Sequence, residues 1–425
     1  MNKTDLIRKV WDAIDARGTE IIDYGQDIFH HPELGYKETR TSAKTEEKFK
    51  ELGLTYESGI ALTGLKARLK GRTDGPSICY MGELDSVLCP GHPHADPTTG
   101  AAHSCGHDAQ MAAMIGATMG LVDAGAMQYL DGDVVPMAVP AEECVEIEFR
   151  ETLKKQGKIE FYGGKQQFIL EGALDDVDMV AVIHASEMDL FEHGMGTSGT
   201  RNGFIGKMVY YKGREAHTGM APHEGINALN AALMGIMGIH AQRETFRDDD
   251  TVRVHPIISK GGDLVNIVPA DVRIELGVRA KRMDATIDAS KKVDRALKAG
   301  AACIGAECEI INTPGYLPRL ASVEFDELVM RCAESIVGKE KAYYDRAHRT
   351  SSNDSGDISH LMPAVALQVG GVKGRVHTKD WVVTDPELLY VGGAKFFATM
   401  AIELLWDEAK EARKIKSSYK APYTK

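Results

Sequence analysis

The stretch His103-Ser104-Cys105-Gly106-His107-Asp108 places two imidazoles, a thiol and a carboxylate within six residues. A thiolate and an imidazole two residues apart can hold one divalent cation from a single turn of backbone, and the intervening glycine permits that turn. A buried structural cysteine beside surface histidines fits the same residues, because short Cys/His motifs often occur by chance. Taken alone, the stretch leaves a metal site and a structural role open.

Other side chains able to bind metal or protons follow apolar runs that predict buried strands: Glu142 and Glu143, His184, and His377. In open α/β sheets the carboxyl ends of the strands form the ligand-binding edge, so one edge can gather these groups. Of two adjacent carboxylates, one can bind metal while the other takes a proton from water. A solvated strand-end pair is the alternative, but the buried run and Pro140-Ala141 before the pair favour function.

The elements that must position these residues can be located from hydrophobic periodicity. Strands are predicted at 78–81, 134–139, 179–183 and 364–369, with helices at 109–121, 165–174 and 386–410. Between residues 204 and 300 the pattern changes to amphipathic strands and two helices, which predicts an antiparallel sheet covered on one face: strands at 204–211, 251–259 and 271–280, helices at 225–243 and 284–300.

Composition restricts the class of protein. The 425 residues exceed the size at which a single core stops growing, so two domains are expected. A net charge of -12 without a basic stripe argues against a nucleic-acid partner. Seven scattered cysteines fit a reducing compartment. With no apolar segment of about 18 residues and no signal-peptide pattern, the sequence predicts a cytoplasmic protein without a membrane partner.

Five motifs, in the same order, resemble peptidase family M20 and in particular its amidohydrolase subgroup D: residues 30–35 (HHPELG), 105–108 (CGHD), 140–143 (PAEE), 213–217 (GREAH) and 266–269 (NIVP). Two further phrases, at 224–229 (EGINAL) and 355–359 (SGDIS) with Pro363, most resemble B-subunit-like aminobenzoyl-glutamate hydrolases and Xaa-Arg dipeptidases. Each motif alone is weak, but five in register are specific.

The resemblance implies a centre of two divalent metal ions, with a set of five ligands: Cys105, His107, Glu143, His184 and His377. The thiolate of Cys105 would bridge the two ions. Zinc is the first expectation, and manganese, cobalt or nickel remain open because the ligands mix sulfur, nitrogen and oxygen.

The resemblance also implies catalytic roles. Glu142 would be the general base that takes a proton from the attacking water and passes it to the leaving amine. Asp85 would orient a ligand histidine. Glu83 stands where other members of the wider family have a histidine, which favours the Cys-containing ligand set. Asp108 would cap the following helix or fix the loop.

Three residues of the insert are implied to contact substrate. His217 would stabilise the developing oxyanion, often in the active site of the neighbouring subunit. Asn266 and Arg279, at the ends of insert strands, would hold the free carboxylate of the substrate, a task that suits a guanidinium fork.

The expected fold is therefore α/β, an M20-type catalytic domain with a mixed sheet flanked by helices and an inserted α+β lid and dimerisation domain. The expected boundaries are 1–200 and 316–425 for the two parts of the catalytic domain and 201–315 for the insert. The expected protein is a homodimer that hydrolyses a small-molecule amide or dipeptide, cleaving between an acyl or aminoacyl group and an amino acid.

Three alternatives stay open at this point. An N-acyl-amino-acid or hormone-conjugate amidohydrolase would share the fold and chemistry. A non-catalytic peptide-binding relative would share the fold alone. Cys105 could instead act as a nucleophile or redox thiol with His107. The charged segment 144–162 is either a lid or substrate-selecting loop, or a solvated helix.

Overall fold

A computed structural model describes residues 1–186, 188 and 192–424. The chain forms two compact units, each with its own core. The first unit consists of residues Met1–Gly199, Leu320–Ala347 and Asp357–Lys425, and the second consists of Thr200–Arg319 and His348–Gly356.

The elements of the first unit alternate between helices and strands along the chain. Its helices are α1 (Lys3–Ala16), α2 (Gly18–Phe29), α3 (Thr39–Glu51), α4 (His107–Asp123), α5 (Ile147–Lys155), α6 (Gly164–Leu170), α9 (Val323–Val337) and α11 (Gly393–Ser418). Its strands are β1 (Thr55–Ile60), β2 (Gly64–Arg68), β3 (Thr73–Glu83), β4 (Val87–Leu88), β5 (Ala101–Ala102), β6 (Asp131–Val139), β7 (Met179–Ala185), β8 (Met195–Ser198), β13 (Ala342–Asp345), β14 (Ala364–Val369), β15 (Val372–Lys373) and β16 (Val382–Val383). Helix α10 (Ser355–Ser359) begins in the second unit and ends in the first.

Eight of these strands form a mixed sheet in the order β1-β2-β6-β3-β7-β14-β8-β13. The four central strands β6, β3, β7 and β14 run parallel to one another. Their carboxyl ends meet at one edge of the sheet, which is where ligands bind in open α/β folds. The mixed sheet packed between helices confirms the predicted α/β class.

The sheet separates two apolar clusters. Ile78 and Tyr80 of β3 belong to the larger cluster, while Cys79 and Met81 belong to the other, because successive strand side chains point to opposite faces. A strand that is buried on both faces reads as a continuous apolar run. That is why the central strands could be predicted from runs of apolar residues.

The segment Glu387–Ser418, a π-helical turn followed by α11, is long and apolar enough to cross a membrane by length and composition. Within its most apolar stretch, 83% of the residues are buried inside the protein. A single buried helix of this kind is typical of the core of a globular protein, so it is weak evidence for a membrane span.

The second unit is the α+β insert that the pattern predicted. Its elements are β9 (Gly203–Lys212), α7 (Ala228–Gln242), β10 (Arg253–Lys260), β11 (Asp271–Ala280), α8 (Met283–Ile304) and β12 (Glu307–Thr313). The strands form an antiparallel sheet in the order β10-β11-β9-β12. Alternate residues of β11 are buried, because α7 and α8 cover one face of the sheet. Strand β12 has no counterpart in the sequence prediction.

Candidate metal centre

The sheet edge and the start of α4 place His107 at the centre of the candidate site. Gly106 precedes the helix with φ of 85°, and a side chain there would bring its Cβ within 2.7 Å of the Ala185 Cβ at the end of β7. Only glycine satisfies both the left-handed backbone and this close approach. The glycine thus lets Cys105 and His107 turn toward the ends of the parallel strands.

Backbone carbonyls fix the orientation of two imidazoles. Nδ1 of His107 donates to the Asp85 carbonyl at 2.8 Å, and Nδ1 of His184 donates to the Ala185 carbonyl at 2.6 Å. In a neutral imidazole with a proton on Nδ1, Nε2 carries the lone pair. Both Nε2 atoms are therefore set to bind a cation, and a partner on the other ring nitrogen is typical of metal-binding histidines.

Ligand atoms from two strand ends, the start of α4 and a loop converge on the sulfur of Cys105. The sulfur belongs to two groups of ligand atoms, and within each group all the atoms lie within 4.8 Å of one another. The first group is Cys105, His107 and His184, and the second is Cys105, Glu143 and His377. The Cys105 Sγ lies 3.5 Å from the His184 Nε2, and the Glu143 Oε1 lies 2.8 Å from the His377 Nε2. Sulfur and nitrogen ligands of one tetrahedral zinc ion lie about 3.6 Å apart, so the first spacing suits a shared ion.

Two buried atoms of the cluster have surroundings that suit metal ligands. The His107 Nε2 and the Glu143 Oε1 make no well-oriented hydrogen bond to any residue that the structure describes. Buried polar atoms normally have such a partner, and a bound ion is one that satisfies both. The five predicted ligand residues thus suit two ion positions that share the Cys105 sulfur. Their roles as ligands stay predictions.

The charges of the metal-free cluster favour cations. Burial opposes the charged forms of His107 and Glu83, but their charged neighbours outweigh it. The Glu83 carboxylate raises the pKa of His107 well above its usual value. Lys165 and His107 hold the pKa of Glu83 well below its usual value. Burial and the Glu143 carboxylate raise the pKa of the Cys105 thiol. Reactive cysteines usually have a lowered pKa, so the side chains around Cys105 do not by themselves activate it as a nucleophile.

The turn after β6 carries Glu142 and Glu143 in a strained backbone. Ala141 has φ of 55°, in the left-handed region that non-glycine residues rarely adopt. Glu143 is buried and its amide donates to the Asp85 Oδ2 at 2.9 Å. Glu142 lies beside the cluster, with its Oε2 3.8 Å from the His107 Nε2. Asp85 therefore touches both His107 and the backbone of Glu143, which fits its predicted orienting role.

His377 closes the other side of the cluster. It too has a left-handed backbone, with φ of 61°, and its amide donates to the Ser104 carbonyl at 2.8 Å. Strained residues of this kind are found at functional sites more often than elsewhere. The His377 side chain is 48% exposed while that of Glu143 is 9% exposed, so the cluster opens to solvent at His377.

Sequence reasoning missed the buried pair of Glu83 and Lys165. The Glu83 Oε2 lies 3.0 Å from the His107 Nε2, and Lys165 at the start of α6 donates to the Glu83 Oε1. Gln110, one turn after His107, donates to the Glu83 Oε2 at 2.5 Å. Glu83, His107 and Glu142 form a third group of ligand atoms within 4.8 Å. The polar end of an otherwise buried strand was the available signal for Glu83.

Two neighbouring residues of the opening motif have structural environments. Asp108 does not cap α4, since Gly106 is the N-cap, but its Oδ2 accepts a hydrogen bond from the Tyr390 hydroxyl at 2.8 Å. It therefore fixes the loop, one of the two predicted roles. His103 is buried, and burial together with His107 lowers its pKa to about 3.

The segment 144–162 contains a helix with one buried side. Helix α5 lies within it, and Arg150 of that helix is fully buried. Its Nη2 donates to the Glu143 carbonyl, and its Nη1 donates to the Tyr162 carbonyl at 2.6 Å. The segment is thus attached to the turn that carries the carboxylates.

The second unit holds the remaining predicted site residues. The His217 Nδ1 accepts from the amides of Gly219 and Met220, each at 3.1 Å, so its Nε2 carries the proton in the neutral ring. The Asn266 carbonyl accepts from the Thr218 amide at 3.0 Å, next to His217. An exposed Nε2–H can donate a hydrogen bond to an oxyanion.

Arg279 lies far from that pair. Asn266 precedes β11 and Arg279 is near its end, paired with Phe204. Eight residues of strand separate Asp271 from Arg279, which is about 27 Å. The Arg279 guanidinium lies 5.3 Å from the centre of the Phe204 ring and its Nη1 is 3.3 Å from the Ser352 Oγ. Asn266 and Arg279 of the same chain therefore cannot hold the same carboxylate.

Comparison with known proteins finds one family domain and several similar hydrolases. Residues 199–302 match the peptidase dimerisation domain of M20 proteins. The chain is 25% identical over 412 residues to the N-acetylcysteine deacetylase of Bacillus subtilis (strain 168), covering 92% of this chain and 99% of that protein. It is 30% identical to the human (Homo sapiens) Xaa-Arg dipeptidase over 226 residues, 51% of this chain and 44% of that protein.

A solved structure shows the same fold. A dinuclear metal-binding peptidase of the M20 family from Bacillus subtilis superposes with a TM-score of 0.70 at 23% sequence identity, covering 92% of this chain and 99% of that one. The predicted resemblance and the predicted hydrolase class are confirmed by these matches. Residues 199–302 carry the dimerisation domain of M20 peptidases, and the chain as a whole is similar to hydrolases of that family.

Proposed function

We propose that this protein is a metal-dependent amidohydrolase that cleaves the amide bond between an acyl or aminoacyl group and an amino acid. One observation carries the proposal: Cys105, Glu143 and three imidazoles converge at the carboxyl edge of the sheet, directly beside Glu142. A set of metal ligands next to a separate carboxylate is the arrangement that metal-assisted hydrolysis requires.

Cys105, His107 and His184 would hold one divalent ion, and Cys105, Glu143 and His377 the other. A bound divalent ion supplies Lewis acidity, which makes water acidic enough to ionise near neutral pH and polarises the amide carbonyl. Zinc fits the thiolate and imidazoles best, with manganese, cobalt or nickel as alternatives.

Glu142 would act as general base and then as general acid. It would accept a proton from the attacking water on its carboxylate and return that proton to the amine nitrogen as the carbon–nitrogen bond breaks. No covalent intermediate with the protein forms. The side chain of Glu142 is 13% exposed, which leaves it reachable from the substrate side.

The names of the relatives support a small substrate with a free carboxylate. One relative is named for removing the acetyl group of N-acetylcysteine and another for cleaving Xaa-Arg dipeptides. Their common chemistry is an acyl or aminoacyl group joined to an amino acid. Arg279 and Asn266 would bind the carboxylate of that amino acid, and the Nε2–H of His217 would donate to the oxyanion.

We propose a homodimer formed through the second unit. Helix α7 is apolar on both faces, with Leu233, Met234 and Met237 from 45% to 63% exposed. A helix that is hydrophobic all round is normally buried, so a second copy would cover these side chains. Since Asn266 and Arg279 lie at opposite ends of β11, a site that uses both would draw them from two chains.

Two alternatives predict different results. Hydrolysis of N-acetyl or indole-acetyl amino acids in preference to dipeptides would favour an N-acyl-amino-acid or hormone-conjugate amidohydrolase. A thiol mechanism at Cys105 would survive chelators and be abolished by alkylation. Cytoplasmic residence is also proposed, on the scattered cysteines, and cell fractionation tests it.

The decisive experiment compares Glu142→Gln with Glu148→Gln, an exposed carboxylate on α5. Both variants should retain the metal content of the wild type. Glu142→Gln should lower kcat by at least about a hundredfold, because general-base catalysis contributes 10²–10⁴-fold. The assay uses dipeptides, N-acyl amino acids and aminobenzoyl-glutamate. Full activity of Glu142→Gln would refute the assigned base, and a protein that hydrolyses none of these amides would favour the non-catalytic alternative.

A further inference from the structure

The turn that carries Glu142 and Glu143 is held by its backbone. The Ala141 amide donates to the Glu38 Oε1 at 2.9 Å, and the Ala141 carbonyl accepts from the Gly164 amide at 3.2 Å. The Glu143 amide donates to Asp85, and the Glu143 carbonyl accepts from Arg150. Buried charged side chains thus supply three of these four contacts.

Arg150 is the unusual member of this set. It is fully buried, it lies in the segment 144–162, and its two terminal nitrogens donate to main-chain carbonyls. Its guanidinium lies over the Tyr36 ring at 5.6 Å. Burying a charge is costly unless the group is well hydrogen-bonded, so the gain must come from what the guanidinium holds. It holds the carbonyl of a predicted metal ligand.

The loop from Gly35 to Glu38 forms the platform on which α5 rests. A Cβ at Gly35 would lie 2.4 Å from the Arg150 Nη2 and 2.9 Å from the Ala141 Cα, so only glycine leaves room for the guanidinium. Lys37 pairs with Glu146 at 2.7 Å and lies 4.3 Å from the centre of the Phe149 ring. The 30–35 motif and the residues after it therefore support α5 rather than contact the ligand atoms.

We propose that Arg150 is a positioning residue for Glu143, and that the segment 144–162 is a fixed support of the metal centre. This inference rests on the proposed metal-dependent function. Arg150 joins the carbonyls of Glu143 and Tyr162, which closes the segment on itself and sets the direction in which the Glu143 side chain leaves the turn. Its loss should weaken the ion position formed by Cys105, Glu143 and His377, and spare the position formed with His107 and His184.

The test uses the full chain with Arg150→Met, Arg150→Lys and a matched control, Leu153→Ala. Leu153 is a buried apolar residue of the same helix with no part in the contacts to Glu143, so its truncation loosens α5 by lost packing alone. Each protein is dialysed against buffered free zinc, and bound zinc is counted by mass spectrometry. A polar partner behind a metal ligand is worth about 10–100-fold in affinity.

The wild type and Leu153→Ala should each bind two zinc ions. Arg150→Met should bind one ion with unchanged affinity and the second 10–100-fold more weakly, with Arg150→Lys between them. Two ions of unchanged affinity in Arg150→Met would overturn the inference, and so would selective loss of the same ion in Leu153→Ala. A wild type that binds no zinc would refute the proposed function instead.

A second measurement does not need metal. Amide hydrogen exchange of residues 141–145 should be at least tenfold faster in metal-free Arg150→Met than in the wild type, because the Glu143 carbonyl loses the guanidinium and keeps the Val145 amide as a donor. Leu153→Ala should leave exchange of this turn unchanged. Equal exchange in Arg150→Met and wild type would contradict the positioning role, whatever the metal content.

Discussion

Glu38 offers a sharp test of the electrostatics behind the site. Its carboxylate is fully buried, with the Oε1 accepting from the Ala141 amide and the Oε2 accepting from the Thr63 hydroxyl at 2.7 Å. Burial and the charge of Asp85 raise the pKa of Glu38 from 4.5 to about 7. The folded protein therefore holds a proton on Glu38 over a pH range in which the unfolded chain has lost it.

The sign and size of the effect follow from this difference. A carboxyl group whose pKa is raised in the folded state contributes stability that is complete below its unfolded pKa and is lost as pH rises through the folded pKa. For Glu38 that window runs from 4.5 to about 7. At about 1.4 kcal/mol per pKa unit, the free energy of unfolding should fall by about 3 kcal/mol across it.

Glu38→Gln removes the titration and keeps the shape. The amide oxygen can accept from Ala141, and the amide nitrogen can donate to the Thr63 hydroxyl oxygen. The stability of the variant relative to the wild type should therefore rise by about 2.5 kcal/mol between pH 5 and pH 8. Urea denaturation followed by tryptophan fluorescence reports the first unit, because all three tryptophans lie in it.

Glu47→Gln on the same helix α3 is the control, because Glu47 is exposed. Its stability relative to the wild type should stay constant from pH 5 to pH 8. The reasoning is refuted if the difference between Glu38→Gln and wild type is also constant over that range. Such a result would mean that Glu38 is charged in the folded protein at pH 5.

Two further predictions concern assembly. Mixing inactive Glu142→Gln chains with inactive His217→Ala chains should restore about a quarter of wild-type activity after subunit exchange. Half of the dimers are then hybrids, and each hybrid has one complete site out of two. No recovery of activity would exclude His217 from the partner's site. Met237→Glu on the exposed face of α7 should give monomers by light scattering, while the exposed Glu244→Gln should leave the dimer intact. Dimeric Met237→Glu would place the interface elsewhere.

The strand-end positions of the site could be predicted because each leaves a local trace in the sequence. Parallel strands that are buried on both faces appear as apolar runs, and the polar residues after them must lie at the same sheet edge. Glu143 and His184 were located in this way, and the structure brings both of them to Cys105 of the Cys/His motif. The antiparallel sheet of the insert could also be predicted from the sequence, because alternate residues of its strands are buried.

The buried charges could not be predicted, because hydrophobic periodicity treats charged residues as exposed. Lys165 and Glu38 find partners that are distant in sequence, and Arg150 binds carbonyls on either side of its own helix. The charge-rich segment 144–162 consequently suggested a lid or a solvated helix. The separation of Asn266 from Arg279 could have been predicted, because Asn266 precedes the predicted strand 271–280 and Arg279 lies near its end.

Anomalous diffraction at the zinc absorption edge, from crystals of the zinc-loaded protein, tests the central claim most directly. The account predicts two peaks that share the Cys105 sulfur, one next to His107 and His184 and the other next to Glu143 and His377. A zinc-loaded crystal without a peak at Cys105, or with zinc bound only elsewhere on the protein, would contradict the proposed metal centre.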